Sequence, residues 1–312
     1  MKTITERIDA TTEIPPEYRH TIIPAPKSCK IEITSSCNYR CSFCANADME
    51  QKGQMHKDDY RKLVLELKSI GIEELGIFYI GEPFTCSWLE EAIKFAKDAG
   101  IQYVFLTTNG SLANPKRVEG CMKAGLDSLK FSLNYASVEQ FKEVARVKGK
   151  LYGQAIDNIK SAWRIREEGE YKCRLYASTI QFDGEQAERM KEVKDEMRPF
   201  LDEMYELPLF KFSDDKVVSQ EESLGFKPVA GNPGRAGNRR DSLPCWSGFK
   251  EMHIDKDGNL NFCCFGGDKF ILGNALETGI MKCWNNLKAQ NLRRAHLAKN
   301  VSNTVCKFCA LA

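Results

Sequence analysis

Ile31-Glu32-Ile33-Thr34-Ser35-Ser36-Cys37-Asn38-Tyr39-Arg40-Cys41-Ser42-Phe43-Cys44 joins a short apolar run to three cysteines separated by three and two residues. The run reads as a strand, and the polar stretch after it as a loop at the strand's end. A tight loop with this spacing turns three thiolates onto one inorganic centre. Cysteine thiolates are the usual ligands of iron–sulfur clusters. Three ligands for a four-iron cluster leave one iron open to bind and activate a small molecule. The competing readings are a zinc knuckle and free buried thiols. Structural zinc takes four ligands, commonly in C-x-x-C pairs, and the nearest fourth candidate is His56, twelve residues beyond Cys44.

Outward from this stretch, short β-rich runs alternate with amphipathic helical patterns. The runs cover 30–34, 75–80, 102–107, 128–133, 174–180 and 204–212; the helical patterns cover 57–70, 87–99, 115–124, 137–165 and 185–201. Such alternation argues for an α/β fold of βαβ units with a parallel sheet. Periodicity alone leaves open a doubly wound sheet or an incomplete barrel. Residues 1–28 contain Pro15-Pro16 and Pro24-Ala25-Pro26 and read as an extended N-terminal lead-in. Residues 213–239, rich in Gly, Pro, Asn and Ser, read as a linker. From about 240 a hairpin is expected, turning at Lys256-Asp257-Gly258-Asn259, followed by a helix over 280–298.

With 312 residues, 42% of them hydrophobic, the chain can bury the core of one large domain and a small one. Its 45 basic and 43 acidic side chains leave a net charge of +2, which exerts no global pull toward nucleic acid or an anionic membrane. No apolar run reaches the length of a membrane span, and the first residues lack the apolar stretch of a signal peptide. A cytoplasmic location is expected. Thirteen cysteines then point to metal or redox chemistry, because disulfides are rare in the cytosol. Cys29, Cys86, Cys121, Cys173, Cys264 and Cys283 fall outside the motifs and read mostly as small buried hydrophobes.

Functional groups of parallel α/β folds gather where strands end. The second strand ends in Tyr79-Ile80-Gly81-Glu82-Pro83, the third in Thr107-Thr108-Asn109-Gly110, the fourth in Ser132-Leu133-Asn134 and the fifth in Ser178-Thr179. A carboxylate at Glu82 suits an ammonium group in a partly dry site, and Gly81 permits close backbone approach. A second cysteine set comprises Cys245, Cys263 and Cys306-x-x-Cys309. Four thiolates can fully ligate a 4Fe–4S cluster or a zinc ion, and spacing does not decide between them. Cys264 stands beside Cys263; strand alternation lets only one of the two face a centre, and the Gly258-x4-Cys263 spacing favours Cys263.

Cys37-x3-Cys41-Ser42-Phe43-Cys44 resembles the C-x3-C-x-aromatic-C signature of the radical SAM superfamily, and the resemblance extends over about 29–212. It implies an incomplete (β/α)6 TIM-like barrel with a 4Fe–4S cluster on Cys37, Cys41 and Cys44. Ile80-Gly81-Glu82-Pro83 resembles the family's G-G-E-P segment, with Ile80 in place of the first Gly. That implies binding of the amino group of S-adenosylmethionine (SAM) by Gly81, Glu82 and Pro83, with Tyr79 lining the pocket. Ser132 and Asn134 resemble the pair that contacts the ribose, with Asn109 assisting. Arg174, or else Arg146, would pair with the methionine carboxylate.

The stretch from Arg235 to Cys309 resembles the SPASM/twitch extension of the same superfamily. Its cysteine spacing is similar to that of the single-cluster twitch form in the radical SAM dehydrogenase of aminocyclitol antibiotic biosynthesis. The resemblance implies an auxiliary 4Fe–4S cluster on Cys245, Cys263, Cys306 and Cys309, in a small C-terminal domain over 240–312. The implied reaction is reductive cleavage of SAM to a 5′-deoxyadenosyl radical, hydrogen-atom abstraction, and two-electron oxidation of a small sugar- or cyclitol-like substrate. A flavodoxin or ferredoxin would supply the electron. The alternatives are radical modification of a ribosomal peptide (crosslinking, thioether formation or epimerisation) and a non-catalytic iron–sulfur or zinc module. No proton-accepting residue stands out, and His20, His56, His253 and His296 all read as structural.

Overall fold

The computed structural model of the chain describes residues 3–49, 52–180, 184–207, 210–213, 216–219, 243–263 and 267–308. Six parallel strands follow one another in chain order: β1 (Ser28–Ile31), β2 (Glu74–Gly76), β3 (Tyr103–Thr108), β4 (Ser128–Ser132), β5 (Arg174–Ile180) and β6 (Glu203–Leu207). A doubly wound sheet reverses its strand order at a switch point. No reversal occurs here, so the sheet curls as an unclosed barrel. The single strand expected over 204–212 is divided: β6 ends at Leu207, and Phe210 opens a separate two-stranded hairpin of β7 (Phe210–Ser213) and β8 (Lys216–Ser219).

Alternation along the strands builds the core. Cys29 and Ile31, Leu75, Val104 and Leu106, Leu129 and Phe131, and Leu175 and Ala177 are all but fully buried on the helix side. There they meet the apolar faces of α2 (Lys57–Ser69), α3 (Leu89–Asp98), α4 (Pro115–Lys123) and α6 (Lys150–Glu168). The intervening positions, Lys30, Tyr103, Phe105, Lys130, Ser132 and Tyr176, take the concave side. Helix starts are set locally: Asn114 caps α4, with Pro115 at its first position, and Ser137 caps α5 (Val138–Ala145). His56 caps α2, its Nδ1 accepting from the Asp58 amide at 3.4 Å. The helix expected over 137–165 is two: α5 ends at Arg146, whose φ of +54° lies in the left-handed region, and α6 begins four residues later. The last repeat contributes α7 (Gly184–Met197).

Two regions differ from the sequence reading. Residues 1–28 are not simply extended: Ile4–Thr12 forms α1, started by a capping box between Thr3 and Glu6. This helix crosses the N-terminal ends of the strands. The Ile4 amide reaches Glu203 at 3.0 Å, Arg7 pairs with Glu74 at 2.6 Å, and the Arg7 guanidinium lies 3.4 Å over the Tyr103 ring. The C-terminal domain joins the barrel edge to edge. Its hairpin, β9 (Glu251–Ile254) and β10 (Asn259–Asn261) with β11 (Ile271–Asn274), extends the barrel sheet, because β9 pairs in parallel with β1. The sheet therefore has nine strands in the order β11-β10-β9-β1-β2-β3-β4-β5-β6. The expected helix over 280–298 breaks into Ile280–Trp284 and Leu287–Leu297, where Asn286 caps the second piece. Most of the expected linker lies outside the described residues, Arg235 included. No described helix is long and apolar enough to cross a membrane.

Candidate active site

The three-cysteine loop leaves the C-terminal end of β1 and docks on the end of α5. The Arg40 and Ser42 amides donate to the carbonyls of Ala145 and Val144 at 3.0 and 2.9 Å, and the Cys44 amide turns back to Cys41 O at 3.0 Å. Tyr39, Phe141 and Tyr135 pack edge to face beneath it, with ring centroids 5.2 and 5.0 Å apart. The sulfurs meet donors: the Tyr39 amide lies 3.4 Å from Cys37 Sγ, and the Tyr135 hydroxyl 3.2 Å from Cys41 Sγ. Burial pushes the Cys37 thiol up to about 12 and the Cys41 thiol up to about 11, and each further resists ionisation beside its neighbours. Iron reverses that preference, since ligation requires the thiolate. Among the described residues, no three His, Cys, Asp or Glu side chains converge as they would around one ion. Half-buried thiols with donors at two of the sulfurs are a donor set that an iron–sulfur cluster takes.

The turn after β2 faces this loop. Glu82 is 3% exposed. Its Oε1 accepts from Thr108 Oγ1 at 2.7 Å and from the Phe84 amide at 3.1 Å; its Oε2 accepts from the Asn109 amide at 2.7 Å. Burial pushes the carboxyl up to about 7 against the pull of those bonds. An ionised carboxylate has about four acceptor positions, so Oε2 keeps one for a cation. Pro83 opens the short helical turn Pro83–Thr85 that Glu82 caps. At Gly81 the close approach is made by the protein itself: a Cβ there would stand 2.0 Å from Thr34 O.

The sequence reading missed Glu32, which is 2% exposed. Its Oε1 accepts from the amides of Ile80 and Gly81 at 3.0 and 3.1 Å, and the Lys256 amide helps to hold the same carboxylate. Burial pushes this carboxyl, too, up to about 7. An acid between Ile31 and Ile33 was the available signal.

Other predicted residues divide. The Asn109 side chain donates to Asn38 Oδ1 at 2.8 Å and lies 4.0 Å from Cys37 Sγ, so it braces the cysteine loop. Ser132 and Asn134 are half-buried at the end of β4, and their side chains are uncommitted to any described partner. Arg174 is a correction. It is the first residue of β5, at the far end of the strand from the cysteine loop, and it pairs with Asp202 at 3.1 Å. Arg146 is close enough to Cys41 for its charge to favour that thiolate.

Tyr79 connects the two halves. Its hydroxyl donates to the Cys263 carbonyl at 2.7 Å, and its ring stacks on His253 with centroids 5.4 Å apart. His253 is fully buried and bonds Glu251 at 2.9 Å; Glu251 pairs with Lys30 at 2.6 Å. Burial alone would raise Glu251, but Lys30 and His253 outweigh it and hold the carboxyl at about 2. Of the second cysteine set, Cys245 and Cys263 are half-buried and Cys306 is buried. Cys264 and Cys309 lie outside the described residues. Cys29, Cys86, Cys121, Cys173 and Cys283 are buried among the core side chains.

Comparison with known proteins bears on this arrangement. Residues 31–197 match the radical SAM superfamily model, and residues 245–310 match an iron–sulfur cluster-binding domain. GTP 3′,8-cyclase of Chlorobaculum tepidum is 33% identical over 119 residues, 38% of this chain and 36% of that protein. AdoMet-dependent heme synthase of Methanosarcina barkeri is 33% identical over 117 residues, 37% and 33% of the two chains. The alignments thus span about a third of these relatives' length. BtrN in complex with AdoMet and 2-DOIA has a similar fold, with a TM-score of 0.56 at 17% identity over 92% of each chain. Streptococcus suis SuiB bound to its precursor peptide SuiA gives a TM-score of 0.65 at 18% identity, over 94% of this chain and 71% of that one. The two matched domains bring a 4Fe–4S cluster, SAM and an auxiliary cluster as cofactors. With the first match spanning more than half of its residues, this chain belongs to the radical SAM superfamily.

Proposed function

We propose that the protein cleaves SAM at the Cys37/Cys41/Cys44 loop and oxidises a small hydroxyl- or amine-bearing substrate held over the concave face of the barrel. Cys245, Cys263, Cys306 and Cys309 hold the auxiliary cluster in this reading. When bound and reduced by a flavodoxin- or ferredoxin-type donor, the first cluster supplies the electron that splits SAM into methionine and a 5′-deoxyadenosyl radical. Glu82 and the Gly81 backbone orient the amino group, Arg146 takes the carboxylate in place of Arg174, and Ser132 and Asn134 receive the ribose. The observation that carries the reading is the Tyr79 bridge. The turn that would hold SAM is hydrogen-bonded to the residue that would ligate the auxiliary cluster. An electron acceptor beside the reacting substrate suits net oxidation.

The test is anaerobic incubation with SAM, reductant and a panel of aminocyclitols and hexoses. A ketone lighter by two hydrogens, formed one for one with 5′-deoxyadenosine, is expected. A product of unchanged mass would sink the oxidation. A second reading, an anionic nucleotide-like substrate, is favoured by Lys130. Its ammonium lies 5.7 Å over the Tyr205 ring on the concave side and has no carboxylate partner among the described residues. GTP, after which the Chlorobaculum tepidum cyclase is named, belongs in the same panel; its consumption would replace the first reading.

The Glu82 assignment has its own test. Hydrogen bonds to charged groups contribute about 1.5–3 kcal/mol, or about ten- to a hundredfold in affinity. Glu82→Gln should weaken SAM binding by that factor in anaerobic calorimetry, whereas Arg174→Ala should leave it unchanged. Unaltered binding by Glu82→Gln would move the amino group elsewhere.

A further inference from the structure

We propose that His296 is a positioning residue of the auxiliary cluster, donating a hydrogen bond from Nε2 to the sulfur of Cys306 and so raising the cluster's reduction potential. The inference rests on the reading of Cys306 as a ligand. His296 lies on the helix Leu287–Leu297 and is 2% exposed. Its two ring nitrogens face two of the candidate ligand residues. The Cys245 amide donates to Nδ1 at 3.3 Å, and Nε2 lies 3.3 Å from Cys306 Sγ. A backbone N–H can only donate, so Nδ1 presents its lone pair. The ring proton therefore sits on Nε2 and points at sulfur. The tautomer is fixed by the fold. Phe262, immediately before Cys263, packs against the ring at 5.7 Å between centroids, and Phe249 lies across it at 6.4 Å. One imidazole thus touches the backbone of the first cysteine, the sulfur of the third and the neighbour of the second.

A buried donor aimed at a ligand sulfur has a physical consequence. Reduction adds negative charge to the cluster and its thiolates, and a fixed N–H dipole stabilises that charge. Hydrogen bonds to sulfur are among the features that set iron–sulfur potentials. Raising the potential makes the auxiliary cluster a better electron acceptor, the direction that net substrate oxidation requires. His296 would also couple the start and end of the C-terminal segment, since Cys245 and Cys306 lie 61 positions apart in the chain.

The test uses full-length protein with Cys37, Cys41 and Cys44 changed to Ala, so that only the auxiliary cluster is read. His296→Phe should retain iron but lower the reduced-to-oxidised ratio at fixed solution potential by about tenfold, about 59 mV for a one-electron couple. His296→Gln, which can accept from Cys245 and donate to Cys306 with one amide, should recover most of the shift. An unchanged potential in His296→Phe overturns the proposal. Should His296→Phe fail to assemble the cluster, protein labelled with ¹⁵N-histidine decides. Pulsed EPR of its reduced cluster should show coupling to a ring nitrogen, and no coupling overturns the proposal. Cys306→Ala separates the premise: loss of iron supports the ligand reading. Full iron retention removes the premise and the proposal together, and leaves SAM cleavage untouched.

Discussion

Changing Cys37, Cys41 and Cys44 together to Ala should abolish 5′-deoxyadenosine formation while about four irons per chain remain after anaerobic reconstitution. The first half follows from the loop. All three thiols lie on one short segment braced by Asn109, Tyr135 and the end of α5, whereas Cys86, which closes the Pro83–Thr85 turn, is fully buried in the core. The second half follows from separation. Cys245, Cys263 and Cys306 are positioned by β9, β10 and the helix Leu287–Leu297, and none of those supports passes through the 37–44 loop. Iron analysis and product quantification on one preparation read both. Zero iron in the triple variant, against about four in the native protein, would leave the C-terminal cysteines with zinc or nothing. The electron-acceptor argument would then fall, and redox-neutral radical chemistry would move ahead.

The barrel was legible because its signals are local. β4 alternates apolar and polar residues, β3 and β5 are short β-rich runs between helical patterns, and the first five strands each end in a polar turn. What was not legible depends on distant pairing. Lys30 and His253 stand opposite each other in parallel strands more than two hundred residues apart, and no local pattern announces that contact. Hence nothing in the sequence announces that the hairpin of the C-terminal domain continues the barrel sheet. Arg174 failed for a different reason. It opens the run 174–180, so the rule that functional groups gather where strands end already put it at the far end, and the resemblance outweighed that local signal. The helix at Ile4–Thr12 carried a readable signal, the Thr3-x-x-Glu6 capping box, which the prolines after it overshadowed. Isolated histidines have no pattern at all; His296 acquires its meaning only from two neighbours that the fold supplies.

Gly81→Ala should destabilise the fold more than any other single substitution in the turn proposed to hold SAM, and Ile80→Gly should be among the mildest. An added Cβ at 81 would lie 2.0 Å from Thr34 O and 2.9 Å from Ser35 Cα. Both are backbone atoms, so no rotamer change relieves the clash. Either the 34–36 segment moves, carrying Cys37 with it, or the turn withdraws and breaks the amide bonds to Glu32 and Ser36. Overpacking of this kind costs about 1–3 kcal/mol and sometimes more. Here the displaced parts are also the ones that would hold the cluster and the amino group of SAM, so at least about tenfold in SAM affinity should go with about 2 kcal/mol of stability. Ile80 is half-exposed and contributes its amide, not its side chain, to Glu32. Replacing it with Gly restores the family's usual residue and should cost about 1 kcal/mol or less. Thermal unfolding and anaerobic SAM titration of the two variants side by side test the asymmetry. It also accounts for the departure from G-G-E-P: of the two positions, only the second is packed against the backbone that leads into the cysteine loop. A normal melting temperature and SAM affinity for Gly81→Ala would show that the 34–36 backbone yields, and the order of the turn would then rest on the Glu32 carboxylate.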